Sequence, residues 1–473
     1  MACTTILVGK KASYDGSTII ARNDDASAGK FAPKKFAVVT PEQQPKEYQA
    51  VISGCKVELP DHPMKYSAIP NALEGRGIWA ACGVNEENVA MSATETITSN
   101  PLVLGADPLV KEGIGEEDLV VLVLPYIHSA RQGVERLGAL LEKYGTYEMN
   151  GIAFSDTNEI WWLETIGGHH WMAKRVKDDA YVVMPNQQGI ADFDLEDAYG
   201  NKREHLCSTD LMTFIENNHL NLAFKGKFNA RYAFGSHADS DHIYNTPRAW
   251  MILQYFNPHT YKWTGDNADF TPESDDLPWS LVPERRITIE DVKYALSHHY
   301  QGTPYDTYGH KGDLSEKGKY RPIGINRTDD LGIIQLRNNM PKEKTAVEWI
   351  CFGCNVFNVA APFYTSGVKV PDYYGNTTAQ TTTENFYWAS RLIGALADAH
   401  YQVASIHIER YQNTVAQKAH AILNEADRSA DFDPDVVNQK IADMVKEETY
   451  KTLDHVLYEA SNVMKNAFAR SDA

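Results

Sequence analysis

The chain has 473 residues, 43% of them hydrophobic and 23% charged, with a formal net charge of −18 and no block of lysine or arginine. That balance furnishes core material for one large domain or two to three ordinary ones, and it excludes nucleic acid and anionic membrane as partners, because both need a cationic face. No run approaches the roughly twenty apolar residues of a membrane span. Lys10 and Lys11 follow the short N-terminal apolar stretch, which is not the order of a signal peptide. The six cysteines are scattered without a disulfide framework, so a cytoplasmic protein with reduced thiols is expected.

The chain opens MACTTILVGKKASYDGSTIIARNDD. Thr4 to Val8 and Thr18 to Ile20 read as strands, and Asp15-Gly16 between them is a hairpin signal. The second strand carries Arg22-Asn23-Asp24-Asp25 back beside Cys3. Gly77 to Val84 and Val89 to Thr94 predict a second hairpin across a turn at Asn85 to Asn88. Beyond residue 116 the period becomes helical through Val134, Leu137, Leu140 and Leu141. Strands are predicted again at Gly151–Ser155, Glu159–Glu164, Trp171–Ala173 and Tyr181–Met184. Residues from about 190 to 330, rich in Asp, His, Gly and Pro, carry no assignable period, and strand signals return at Gly332–Leu336 and Ala346–Cys351. Apolar stripes through Leu392, Ile393, Leu396 and Ala399 and from Leu453 to Ala467 predict helices. Many strands with segregated helices define an α+β layered protein.

Cys3 invites a chemical reading. If Met1 and Ala2 are removed, one residue carries a thiol and a free α-amine, whose pKa near ~8 lets it take the thiol proton without a histidine. Arg22 would favour the thiolate, and Asp24 or Asp25 could orient the ammonium. On the residues alone, a small apolar residue starting a strand is an equally good account of Cys3. Cys351-Phe352-Gly353-Cys354 lacks a second pair at zinc spacing and a thioredoxin-like context, and reads as core cysteines on a strand and turn. His237-Ala238-Asp239-Ser240-Asp241-His242 is the best metal-like cluster and would serve a metal-dependent enzyme, but H-E-x-x-H is missing and such a hexapeptide is commonly a solvated loop. No phosphate-binding glycine motif is present.

Five blocks in order carry a family resemblance. Cys3-Thr4-Thr5 with Asp15-Gly16-Ser17 and Arg22-Asn23-Asp24-Asp25 form the first, and Cys82-Gly83-Val84-Asn85-Glu86 with Ser92-Ala93-Thr94-Glu95-Thr96 the second. Trp161-Trp162-Leu163-Glu164-Thr165, Met184-Pro185-Asn186 and Asn245-Thr246-Pro247-Arg248-Ala249-Trp250 follow. Together they resemble the dipeptidase A (PepD-type) family of N-terminal nucleophile hydrolases, which is related to secernins and choloylglycine hydrolases. The resemblance implies Cys3 as nucleophile, Arg22 as the cation beside it, Asp25 as the carboxylate holding the amine, Asn186 as oxyanion donor and Arg248 as a second active-site arginine. The related bile-salt enzymes place a further asparagine near Thr94 or Glu95; its absence leaves a backbone N–H as the second donor, with Thr94 and Glu95 lining the substrate site. Asp24 is the candidate, by charge complementarity, for gripping a substrate ammonium.

The expected fold is then the four-layer αββα sandwich of N-terminal nucleophile hydrolases. Residues 1–2 would be a propeptide, 3–375 the hydrolase domain, and 376–473 a helical region packed on it or forming a homo-oligomer interface. The expected activity is metal-independent and cofactor-free hydrolysis of dipeptides through a thioester on Cys3. The alternatives are a hydrolase of another small amide, the metallo-dipeptidase at His237–His242, and a secernin-like interaction protein without activity.

Overall fold

A computed structural model describes residues 3–465, apart from the side chains of Thr94 and Glu95; the expected propeptide Met1-Ala2 lies outside the described residues. The N-terminal segment forms β1 (Thr4–Val8) and β2 (Thr18–Asp25), antiparallel, with Thr5 opposite Arg22 and Val8 opposite Ile19. The turn closes because Gly16 supplies a φ of 85° and the Asp15 carboxylate accepts from the Ser17 N–H (3.1 Å) and hydroxyl (2.6 Å). Every residue of both strands is buried, so this hairpin has no solvent face.

Eleven further strands complete two sheets. They are β3 (Cys82–Val84), β4 (Ala90–Thr96), β5 (Asn150–Ser155), β6 (Ile160–Ile166), β7 (His170–Val176), β8 (Tyr181–Met184) and β9 (His205–Cys207), then β10 (Ser280–Leu281), β11 (Thr328–Leu336), β12 (Ala346–Phe352) and β13 (Ala361–Tyr364). The first sheet has seven strands in the order β10-β8-β1-β2-β11-β12-β13, and the second has six in the order β9-β7-β6-β5-β4-β3. All pairings are antiparallel. The expected second hairpin is therefore present, but Gly77–Ala81 leads into it as irregular chain, with Trp79 and Ala81 at positive φ.

The sheets stack face to face, β2 on β4 and β5, β11 and β12 on β3. Side chains sort by the two-residue strand period. In β6, Trp162 joins the core that also holds Ile6, Ile20 and Leu331, while Trp161 and Leu163 join a second cluster with Val134, Leu137 and Leu141. Those three lie on α1 (Ala130–Tyr144), which begins at the Ser129 cap and ends at Gly145. Its glycines permit the approach: a Cβ at Gly133 would stand 2.3 Å from the Phe154 ring, and one at Gly138 2.3 Å from Trp171.

Further helices pack on the seven-stranded sheet: α2 (Thr246–Phe256) on β8 and α3 (Ile289–Leu296) on β1, β2 and β11. The two C-terminal stripes resolve into three helices. These are α4 (Phe386–Ala399) on β12, with α5 (Tyr401–Arg428) and α6 (Pro434–Asn462) on β13. The chain is thus a mixed α/β protein built on antiparallel sheets. Among the described residues no helix is long and apolar enough to cross a membrane.

Between the sheets lies one carboxyl with no cation beside it. Glu348 of β12 is fully buried and accepts from the Ser67 hydroxyl (2.7 Å) and the Cys82 thiol (3.5 Å). Burial pushes its pKa up to about 7, against the weaker pull of those two donors. The folded carboxyl therefore binds its proton more tightly than the unfolded chain does. Its contribution to stability is full below the ordinary value of 4.5 and is lost as pH rises through about 7. Glu348→Gln should accordingly gain stability relative to wild type across that window, read as the difference in urea midpoints; a difference independent of pH would refute the raised pKa.

Candidate active site

The site grows out of the β1–β2 register. Residues directly opposite in an antiparallel pair share a face, and extending Thr5↔Arg22 by two positions sets Cys3 across from Asp24. Arg22 and Asp24 thus point with the thiol toward the second sheet, whereas Asn23 and Asp25 point the other way. The Arg22 guanidinium reaches across the gap, and Nη1 donates to the carbonyls of Ala81 (3.3 Å) and Ala93. Its Nη2 stands 3.1 Å from Cys3 Sγ, 3.0 Å from Asp24 Oδ1 and 2.7 Å from Glu116 Oε1.

Cys3 Sγ and one oxygen each of Asp24 and Glu116 form the one cluster of possible metal ligands found among the described residues. The point they surround is held by Arg22 Nη2, so the cation of this cluster is the guanidinium. Burial alone would lower the Arg22 pKa, but Cys3, Asp24 and Glu116 outweigh it and hold the group well above its ordinary value. The two carboxyls differ. Burial would raise Asp24, yet Lys34 (Nζ 2.6 Å from Oδ2) and then Arg22 bring its pKa below the ordinary carboxylate value. Glu116 has only Arg22, and burial with Glu148 nearby pushes it up to about 7. Its second oxygen, Oε2, is buried without a hydrogen-bond partner.

On the opposite face, Asp25 accepts from Thr328 (2.5 Å) and is ion-paired with Arg321, and Asn23 donates to the Leu296 carbonyl (2.8 Å) and accepts from Asn355 (2.9 Å). Arg248 enters from the first turn of α2, where Pro247 starts the helix without needing an N–H. Its Nη1 donates to the Cys3 carbonyl and to Thr4 Oγ1 (2.6 Å), and Nη2 to the side-chain oxygens of Asn186 (2.7 Å) and Asn245 (2.8 Å). Asn186 in turn donates to the Thr96 carbonyl (2.9 Å). The loop carrying Asn186 is tied to the second sheet by Glu164, whose Oε1 accepts from the N–H groups of Gly189 (2.8 Å) and Ile190 (3.2 Å). A cleft of about 370 Å³ opens over Asn186 and Arg248, lined also by Thr96, Thr98, Asp241 and Tyr244.

The first, third, fourth and fifth sequence blocks therefore converge on one end of the first sheet. Asp24 stands differently from its expected role, because both of its oxygens are engaged by cations rather than turned to a substrate. Of the second block, the side chains of Thr94 and Glu95 lie outside the described residues. The His237–His242 segment is not drawn into a metal cluster: His242 pairs with Asp275 (2.9 Å), and Asp241 accepts from Ala238 N–H (3.2 Å) and Asn245 (2.5 Å), bracing the residue that holds Arg248. Cys351 and Cys354 are buried, and burial pushes both thiols up to about 12, as core cysteines require. Glu116, Lys34, Arg321 and Asn245 were not singled out by sequence. Glu116-Glu117-Asp118 before an apolar run has the form of an acidic helix start, and only Asn245, inside the fifth block, carried a signal at all.

A thiol and a guanidinium are thus clamped between stacked sheets, beside an amide and a second arginine. The chain belongs to Peptidase family C69, whose model matches residues 2–414. It is 52% identical over 532 residues to a dipeptidase of Bifidobacterium longum, with both chains covered in full. It is 52% identical over 477 residues to a probable dipeptidase A of Streptococcus pyogenes serotype M3, again over 100% of each. Identity to a probable dipeptidase B of Lactococcus lactis is 44%, over 100% of this chain and 98% of the relative.

Lys34 supplies a test of this electrostatic arrangement. It is buried against Asp24, with Asp330 at 3.9 Å, so Lys34→Met leaves the buried Asp24 carboxylate one cation short. Breaking such a pair typically costs about 3–5 kcal/mol, to be read by urea unfolding. Combining it with Asp24→Asn should cost much less than the sum of the two single changes. Strict additivity would show that Lys34 and Asp24 do not interact.

Proposed function

We propose that the chain is a cysteine dipeptidase of the N-terminal nucleophile type, acting without a metal. The observation that carries this reading is the 3.1 Å contact of Arg22 Nη2 with Cys3 Sγ, in a cluster where the guanidinium takes the place of a cation. The relatives' names supply the substrate class, dipeptides. The stacked sheets with helices outside them are taken as the four-layer αββα sandwich of N-terminal nucleophile hydrolases, in which the nucleophile begins a central strand.

Removal of residues 1–2 turns Cys3 into the N-terminus, and its amine becomes the base for its own thiol. The thiolate, favoured by Arg22, attacks the scissile carbonyl. Asn186, oriented by Arg248, donates to the developing oxyanion together with a backbone N–H. The Cys3 ammonium protonates the leaving amine, and water activated by the same amine cleaves the thioester. Arg248 also fixes the nucleophile through the Cys3 carbonyl. Asp25, buried at the end of β2 with Arg321 and Thr328, is the candidate for holding the Cys3 ammonium. Glu116, with one oxygen on Arg22 and the other unpartnered, replaces Asp24 as the group that receives the substrate ammonium.

Protein whose first residue is Cys3 should hydrolyse dipeptides, lose activity to iodoacetamide or Cys3→Ala, and keep it in EDTA. A fused tag that stays upstream of Cys3 should abolish activity. Activity in the blocked protein would sink the amine as base, and loss on chelation restored by a divalent metal would sink the thiol mechanism. Asn186→Ala should lower kcat on the order of 10²–10³-fold, with a smaller effect on KM; a change of a few-fold in kcat would remove Asn186 from the oxyanion site. Glu116→Gln should raise KM for free dipeptides far more than for N-acetylated ones, and an equal effect on both would leave Glu116 as a partner of Arg22 alone.

A further inference from the structure

Away from Cys3, α3, α5 and the end of β12 enclose a cavity of about 500 Å³. It shares no lining residue with the cleft at Asn186, and its volume is within the range of small-molecule sites. Its walls mix polar and apolar groups, and Tyr294, Trp349, Phe357 and Tyr401 with Val356 and Ile408 give it an aromatic and aliphatic side. The wall between α5 and the loop after β12 is fastened by Gln412, which donates to the carbonyls of Val356 (2.9 Å) and Asn358 (3.2 Å).

Lys293 lines this cavity, and its ammonium has no hydrogen bond or ion pair among the described residues. Three acids share this lining; Glu409 of α5 is exposed, and the two on α3 are already engaged. Glu290 is bound by His420 (2.6 Å), and Asp291 by Arg285 (2.6 and 2.8 Å) and the Tyr255 hydroxyl (2.9 Å). Burial pushes the Lys293 ammonium down to about 8, opposed only by the Cys351 and Cys354 thiols beside it. An amine so placed lacks a counter-ion, and an aromatic cavity lacks a flat apolar body. One ligand chemistry supplies both.

We propose that this cavity is a second binding site, distinct from the peptidase site, for a small aromatic carboxylate whose anionic group pairs with Lys293 and whose ring lies among Tyr294, Trp349 and Tyr401. α3 joins the two regions physically, because its Leu296 carbonyl accepts from Asn23 of the Cys3–Arg22 hairpin and from Asn355. The proposal concerns binding alone and stands whether or not Cys3 is the nucleophile.

The test titrates 3-phenylpropionate and its uncharged amide into the full chain by calorimetry. Wild type should bind the carboxylate saturably at one site, with the amide and the Lys293→Met variant each weaker by about tenfold or more, and Lys293→Met should retain peptidase activity. Because that variant could fold poorly, a second measurement uses wild type only. Trinitrobenzenesulfonate at neutral pH should modify Lys293 ahead of the other lysines, and 3-phenylpropionate should protect it. Equal binding of acid and amide, unchanged affinity in a folded Lys293→Met, absence of saturable binding at millimolar ligand, or labelling of Lys293 unaffected by ligand would each overturn the proposal. A change in sedimentation on Lys293→Met without ligand would overturn it too, by assigning the cavity to contact between copies.

Discussion

The organisation of the molecule turns on one buried guanidinium. Arg22 lies between two antiparallel sheets and reaches two carbonyls, two carboxyl groups and a thiol. A cation in such a place is tolerable only if it is paired, since an unpaired buried charge is among the most costly defects a protein can carry. That requirement explains why Asp24, Glu116, Lys34 and Asp330 gather around it, and why both sheets must be assembled before the site exists. Ala81 and Ala93 contribute carbonyls from the second sheet, and Cys3 contributes its sulfur from the first.

The same requirement separates groups that look alike on paper. Asp24 and Glu116 both touch Arg22 Nη2, but Asp24 has Lys34 as well and keeps a depressed pKa, while Glu116 has a carboxylate neighbour instead and is driven up to about 7. Glu348, with no cation at all, behaves as a buried acid held by two weak donors. Among these three acids the shift follows the cations each can reach against the cost of its burial. Glu116, which shares Arg22 with the Cys3 thiol, keeps one oxygen without a partner.

On the far side of the central hairpin the geometry is about orientation. Arg248 ties the Cys3 backbone to Asn186, Asn245 braces Arg248, and Asp241 braces Asn245. A His/Asp-rich loop that resembles a metal motif thus acts as a bracket for an arginine. Glu164 performs the matching task for the Asn186 loop from the second sheet. Two sequence blocks, around Glu164 and Arg248, so converge on the loop that carries Asn186.

The sequence by itself determined the local elements and the identity of the central residues. β-branched and apolar runs with the Asp15-Gly16 turn specify the first hairpin, the helical stripe over Val134 to Leu141 specifies α1, and five ordered blocks single out Cys3, Arg22, Asn186 and Arg248. These are properties of period, turn chemistry and motif order, which need no knowledge of what lies across the core. The region from about 190 to 330 stayed illegible because its helices are short and its polar residues serve as brackets and caps, so no apolar period survives. What only the tertiary structure decided is partnership: that Asp24 belongs to Lys34, that Asp25 belongs to Arg321 some three hundred residues away, and that Glu116 stands against the thiol's cation. Ion pairs form through space between whichever charges the packed sheets leave without water, and that selection is made by burial, which no local pattern encodes.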